Sequence, residues 1–141
     1  MKYEFTDETF ILPSGVVVRR IRALEDLPSH GVKKGDLGGF VESEKNLSQV
    51  GKSWVSGRAH VYGSAWVFGD AYVSGRAHVF GNSWVYGRAN VLGDALIYDY
   101  ALVYDNATVY GEAQVYGRAH LFGDAWVYGS TEIHGETQVC V

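Results

Sequence analysis

The chain has 141 residues and a net charge of −4, with 12 Lys and Arg against 16 Asp and Glu. This mild acidity disfavours a nucleic-acid binder, because recognition of a phosphate backbone requires clustered positive charge. A single cysteine, Cys140, excludes an internal disulfide and favours a reducing compartment. The sequence starts without a signal-peptide pattern, and no apolar run reaches the roughly 18 residues of a membrane span. We therefore expect a cytoplasmic protein.

Residues 1–40 are predicted to form a small β-hairpin cap, distinct from residues 41–141. Two strands are indicated, at 9–12 and 16–24, around a Pro-Ser-Gly turn. Residues 37–41 then lead towards the first coil of a repeat. Repeat arrays need protected ends, so we favour a cap over an independent binding domain. Arg19, Arg20 and Arg22 form a basic cluster, which a solvated strand face explains as well as a ligand site does.

From about residue 51 to the C-terminus, the chain repeats every six residues without an insertion. Every sixth residue from Val55 to Val139 is aliphatic, and the residue two places earlier is Ala, Ser or Thr. The residue two places after each aliphatic is usually Gly, and Asp99 and Asp105 replace it in the middle. This spacing predicts a short strand whose aliphatic points inward, a turn at the residue with positive φ, and a tightly packed corner.

A larger period of 18 residues is also visible, since GRAHVYGSAWVFGDAYVS is followed directly by GRAHVFGNSWVYGRANVL. Three hexads would close one triangular coil. The hexads therefore predict an all-β fold, a left-handed parallel β-helix of about five coils stacked about 4.8 Å apart.

The pattern aliphatic-x-Gly-x-Ala-x resembles the hexapeptide repeat of left-handed β-helix proteins. With the segment GDLGGFVESEKNLS before it, the chain is similar to bacterial and phage proteins with "VYGNA"-type repeats. Such proteins carry the description putative transferase or polymer-forming protein. The resemblance implies the fold, and it says little about function because the same coil serves enzymes and structural proteins.

One outer face of the predicted prism is rich in aromatic side chains over four coils. A packing ladder explains any single ring, but the patch as a whole exceeds what monomers usually expose. We therefore predict a partner-binding surface there. Its residues are Trp66, Phe68, Trp84, Tyr86, Leu102 and Tyr104.

A second candidate lies at one corner, where Arg-Ala-His occurs on two adjacent coils. Arg58, His60, Arg76 and His78 would place two guanidinium groups and two imidazoles together, as an anion or nucleotide site requires. Duplicated coils carry duplicated surface residues, and we favour that simpler interpretation.

No catalytic set, metal site or cofactor is predicted. Hexapeptide carbonic anhydrases bind zinc through three histidines, two of them close in sequence, and no such close pair occurs here. The related acyltransferases commonly carry a histidine on a loop that interrupts the coil, and these hexads have no such loop. We expect a protein that is not an enzyme, and an acyltransferase-like enzyme with a site between subunits is the alternative.

The repeat stays in register to the last residues, so we expect an uncapped final rung. Val139, Cys140 and Val141 are the predicted self-association residues, because an open rung exposes unpaired backbone groups. We expect a homo-oligomer through this rung or through an aromatic face, together with a protein partner.

The sequence as a whole favours a non-enzymatic binding or assembly protein. By analogy with phage-associated repeat proteins, we expect a phage or prophage accessory factor that blocks a host protein in the host cytoplasm.

Overall fold

The computed structural model describes residues 1–140, and Val141 lies outside the described residues. The chain is an all-β solenoid whose helical structure among these residues is limited to one 3₁₀ turn, Pro28–His30. The N-terminal strands are β1 (Tyr3–Ile11), β2 (Val17–Ala23) and β3 (Leu37–Val41). The short strands of the coils follow: β4 (Trp54–Val55), β5 (His60–Val61), β6 (Trp66–Val67), β7 (Tyr72–Val73), β8 (His78–Val79), β9 (Trp84–Val85), β10 (Asn90–Val91), β11 (Leu96–Ile97), β12 (Leu102–Val103), β13 (Thr108–Val109), β14 (Gln114–Val115), β15 (His120–Phe122), β16 (Trp126–Val127), β17 (Glu132–Ile133) and β18 (Gln138–Cys140).

Coil strands that are 18 residues apart pair in parallel, which confirms the period seen in the sequence. Val61 pairs with Val79, for example, and Val67 with Val85. Three faces result. We call face A the stack β3-β5-β8-β11-β14-β17, face B the stack β4-β7-β10-β13-β16, and face C the stack β6-β9-β12-β15-β18. The left-handed sense of the winding stays a prediction.

The stack has about six coils, one more than the regular hexads predict. The additional rung comes from the irregular segment before residue 51. β3 pairs in parallel with β5, and Leu47 forms a parallel bridge to Val67. This segment lacks the hexad pattern but still forms a rung, so a count of the regular hexads predicts only about five coils.

The aliphatic and small-residue columns fill the interior. Val61, Val79 and Val115 are fully buried, and so are Ala59 and Ala77. The hexad spacing therefore predicts the buried side chains correctly as far as Val127, and the column members of the last coil, residues 131–139, are half-buried or exposed. At the turns, Asp99 and Asp105 adopt φ of +56°, the left-handed conformation that Gly takes at the other corners.

The N-terminal strands extend face A beyond the first coil. β1 and β2 are antiparallel, β2 is antiparallel to β3, and β3 then joins the parallel stack. β1 begins at Tyr3, well before the predicted start at residue 9, because Tyr3 is buried and Phe5 packs against the same core. One hydrophobic core joins Tyr3 and Ile21 to the coils. A boundary between residues 40 and 41 stays a prediction.

Two adjacent glycines allow β3 to cross the start of the coils. A Cβ on Gly38 would lie 2.6 Å from the Val55 carbonyl oxygen and 2.8 Å from the Trp54 ring. A Cβ on Gly39 would lie 2.7 Å from a Val55 methyl carbon. Only residues without a side chain fit this crossing, which seals the first coil and buries Trp54. Within residues 1–140, no helix has the length and apolar character to cross a membrane.

Candidate functional site

Face C carries the aromatic surface predicted from the sequence. Its two tryptophans are the most open members, with Trp66 36% exposed and Trp84 42% exposed. The other four predicted residues, Phe68, Tyr86, Leu102 and Tyr104, are half-buried. All six therefore lie on one face, and the two tryptophans have the largest exposed fractions.

The rings of face C stack on one another along the prism. Phe68 lies 4.7 Å from Tyr86 between ring centroids, Tyr86 lies 5.0 Å from Tyr104, and Tyr104 lies 5.4 Å from Phe122. The planes of each pair lie within 7° of parallel. Trp66 and Trp84 meet edge to face at 5.3 Å. These contacts stabilise the sheet and fix the rings, so face C is a preorganised surface.

Face A carries a second ladder, which the sequence analysis did not single out as a site. Stacked centroids run from Tyr62 through Phe80, Tyr98 and Tyr116 to His134, at 4.9 to 5.2 Å. Tyr98 donates a hydrogen bond to Gln114 at 3.2 Å, and Tyr116 donates one to Glu132 at 2.9 Å. These hydroxyl groups have partners within the chain, so this ladder is mainly a packing element.

The Arg-Ala-His corner brings its histidines together and leaves its arginines open. His60 and His78 lie 4.6 Å apart between centroids. Burial, and then the neighbouring His78, lower the pKa of His60 to about 4. Burial also lowers the pKa of His78. Both rings are therefore neutral at pH 7, so positive charge at this corner comes from Arg58 and Arg76, which are exposed.

The enclosure of His60 comes from residues far away in the sequence. Phe10 of β1 and Phe40 of β3 lie 5.3 and 5.5 Å from the His60 ring. His60 is only 8% exposed as a result. Arg20 lies over the Phe40 ring, with its Cζ 4.7 Å from the centroid. No signal within the hexads predicts this arrangement, because it depends on how the hairpin folds back over face A.

A third cluster lies on face B, beside the 3₁₀ turn. His30 stacks on Tyr72 at 4.8 Å, and its Nε2 lies 3.1 Å from the Asp70 carbonyl oxygen. Burial lowers the pKa of His30. His30 therefore holds the 3₁₀ turn against the coils. Its ring and its Nε2 both have partners within the chain.

The last described coil is the most open part of the solenoid. Trp126 is 65% exposed and Tyr128 is 56% exposed. Of the predicted self-association residues, Val139 is half-buried, Cys140 is exposed and Val141 lies outside the described residues. Self-association through them stays a prediction. Trp126 is a large exposed ring that the sequence analysis did not select.

Residues 1–140 contain no group of three or more His, Cys, Asp or Glu side chains placed to hold a metal ion. In comparisons with known proteins, a family model described as the YdcK β-solenoid repeat matches residues 101–117. No curated protein matches the chain. The match spans about one coil, so it supports the repeat fold and does not indicate an activity.

Proposed function

We propose that this chain is a non-enzymatic binding protein that presents face C to a protein partner. The observation that carries the proposal is the open, preorganised pair Trp66 and Trp84 on a flat sheet. Tryptophan is enriched among the residues that dominate binding energy at the centres of protein interfaces. Because ring stacking already holds these side chains, a partner loses little conformational entropy in ordering them.

The chemistry of face C favours protein over nucleic acid. The residues that point outward from its strands between Trp66 and Phe122 include no Lys, Arg, Asp or Glu. A nucleic-acid surface gains much of its affinity from cations that neutralise phosphates, and this face has none to offer. Depletion of charge around aromatic anchors is instead typical of the core of a protein interface.

A finer form of the proposal is that the partner is a host protein, blocked by a phage-encoded chain. This form rests on the resemblance of the repeat to phage-associated proteins. The acyltransferase alternative and assembly through the last rung stay predictions.

The test compares the wild-type chain, a Trp66→Ser/Trp84→Ser variant, and a Trp126→Ser control. Trp126 is more exposed than either target and lies on face B. A protein recovered by cross-linking and affinity capture from bacterial lysate is purified, and its Kd for each variant is measured by calorimetry. We expect the double variant to bind at least about 100-fold more weakly and the control to bind like wild type.

Equal binding by the double variant would overturn the proposal, provided that circular dichroism shows an intact solenoid. Sedimentation of the chain alone tests whether face C binds a second copy of the chain instead. Self-association that the double variant abolishes would identify a second copy as the occupant of face C, and would overturn the assignment to a different protein.

A further inference from the structure

The hairpin and the first coil enclose a small cavity on the outside of face A. Its volume is about 290 Å³, and its walls are Glu8, Phe10, Arg20, Phe40, Arg58 and His60. Two walls are aromatic rings and three carry nitrogen donors. This combination of apolar surface with a few convergent polar groups is typical of small-molecule sites.

Two buried nitrogen atoms on residues that line this cavity have no hydrogen-bond partner. They are Arg20 Nε and His60 Nδ1, and no other buried side-chain nitrogen or oxygen in residues 1–140 shares this property. Arg20 Nε lies 3.3 Å from Glu8 Oε2, which is an ion-pair distance without the alignment of a hydrogen bond. Buried polar atoms are nearly always paired, so two unpaired atoms on neighbouring residues show that the polar groups of this wall lack partners within residues 1–140.

The charges of the cavity walls favour a negatively charged ligand. Arg20 and Arg58 carry two positive charges and Glu8 carries one negative charge, so one further negative charge would balance the walls. Arg58 forms no salt bridge within residues 1–140, since the ion pairs found there are Arg20–Glu8 and Arg22–Glu4. An anion in the cavity therefore meets the guanidinium of Arg58, which has no ion-pair partner within residues 1–140, beside the Arg20–Glu8 pair.

We propose that this cavity binds a small organic carboxylate with an apolar body, held by Arg20, Arg58 and His60. One carboxylate oxygen accepts from the Arg20 and Arg58 guanidinium groups. The other accepts from the His60 ring, in the tautomer that places the hydrogen on the nitrogen facing the ligand. The apolar body packs against Phe10 and Phe40, and the volume suits a molecule of about the size of benzoate.

The experiment titrates the full chain with benzoate, benzyl alcohol and inorganic phosphate while the histidine ring signals are followed by NMR. We expect benzoate to shift the His60 signals saturably and to leave His120, on face C, unchanged. Benzyl alcohol lacks the charge and phosphate lacks the apolar body, so each should bind at least about tenfold more weakly. Arg58→Gln and Phe10→Ala should each weaken benzoate binding by about tenfold or more.

Arg118→Gln is the matched control, because Arg118 occupies an equivalent turn position at another corner and lies over the Tyr100 ring. It should bind benzoate like wild type. The proposal is overturned if benzoate does not saturate below about 10 mM, the range expected for so small a ligand. It is also overturned if Arg58→Gln and Phe10→Ala bind like wild type, or if phosphate binds as tightly as benzoate. Phe10 and Arg58 both lie at the surface, so neither variant threatens the fold.

Discussion

The Nζ of Lys2 donates two hydrogen bonds to Ser53, one to its carbonyl oxygen at 2.6 Å and one to its hydroxyl at 3.0 Å. Lys2 is only 1% exposed, and Ser53 is fully buried. A buried cation thus joins the first residues of the chain to the first coil. Burial lowers the pKa of Lys2 to about 8, although Glu25 and Asp70 act in the opposite direction.

This pair predicts that stability rises as the pH rises from about 8 to 10. In this window the unfolded chain keeps its proton on Lys2 while the folded chain releases it. The unfolded state therefore binds more protons, and a rise in pH destabilises it relative to the folded state. The free energy of unfolding should increase by about 2 kcal/mol. Urea denaturation across this range is the measurement, with Lys2→Met as the variant. The window stops at pH 10 because burial raises the pKa of Tyr3, which reverses the trend above that value. A slope retained in Lys2→Met would assign the effect to another group.

Acidification is predicted to destabilise the hairpin contact at His60. The pKa of His60 in the folded chain is about 4, below its ordinary value, so between pH 6.5 and 4 the unfolded state binds more protons. Stability contributed by neutral His60 is therefore present above that window and is lost as the pH falls through it. From pH 7 to pH 5 the loss should be about 2 kcal/mol. Urea denaturation of wild type and His60→Phe at both values checks this. A loss of the same size in His60→Phe would assign the pH dependence to another group.

The turn column predicts a difference between two chemically identical substitutions. Gly111 and Gly129 have φ of +67° and +63°, so alanine is strained at both by about 1–2 kcal/mol. At Gly111 a Cβ would also lie 2.9 Å from the Gly129 backbone nitrogen, whereas at Gly129 nothing lies within 4 Å. Gly111→Ala should therefore cost a further 1–3 kcal/mol or so beyond Gly129→Ala. Thermal melts of both variants measure the difference, and equal melting temperatures would show that the coils separate easily at their corners.

The ladder on face A predicts a stability loss at Tyr98. Its ring stacks on Phe80 at 5.1 Å and on Tyr116 at 4.9 Å. Tyr98→Ser removes both stacking pairs and should cost about 1–2 kcal/mol. Tyr100→Ser is the control, since Tyr100 is 58% exposed and its ring lies under the Arg118 guanidinium, at 5.8 Å, outside the stack of rings on face A. Chemical denaturation compares the two. If Tyr100→Ser costs as much, stacking along the prism is not the source of the stability.

The coils could be predicted from sequence because their contacts are periodic. A residue such as Val79 contacts positions 18 residues before and after it, so a local pattern carries non-local information. Even the exceptions obey the pattern. Asp105 stands in a glycine column, and its Oδ2 accepts a hydrogen bond at 3.0 Å from the Gly123 backbone N–H, one coil further on.

The hairpin could not be predicted to the same depth, because its contacts have no period. Lys2 and Tyr3 lie in a polar stretch, and their burial depends on contacts with Ser53 and Leu47. The cavity at His60 was missed for the same reason. In the sequence, a solvated strand face and a ligand site explain the basic cluster around Arg20 equally well, and only the folded hairpin shows that Arg20 lies against Phe40.

Because coil strands pair with the strands 18 residues away, as His60 does with His78, the solenoid can change length only in steps of whole coils. Copying one interior turn leaves all later residues on their own faces and lengthens the prism by about 4.8 Å. Copying a single hexad instead carries every later side chain round to the neighbouring face, so that the tryptophans and the histidines no longer stand in columns. Gene duplication can therefore lengthen the solenoid by whole coils without changing the residues at either end.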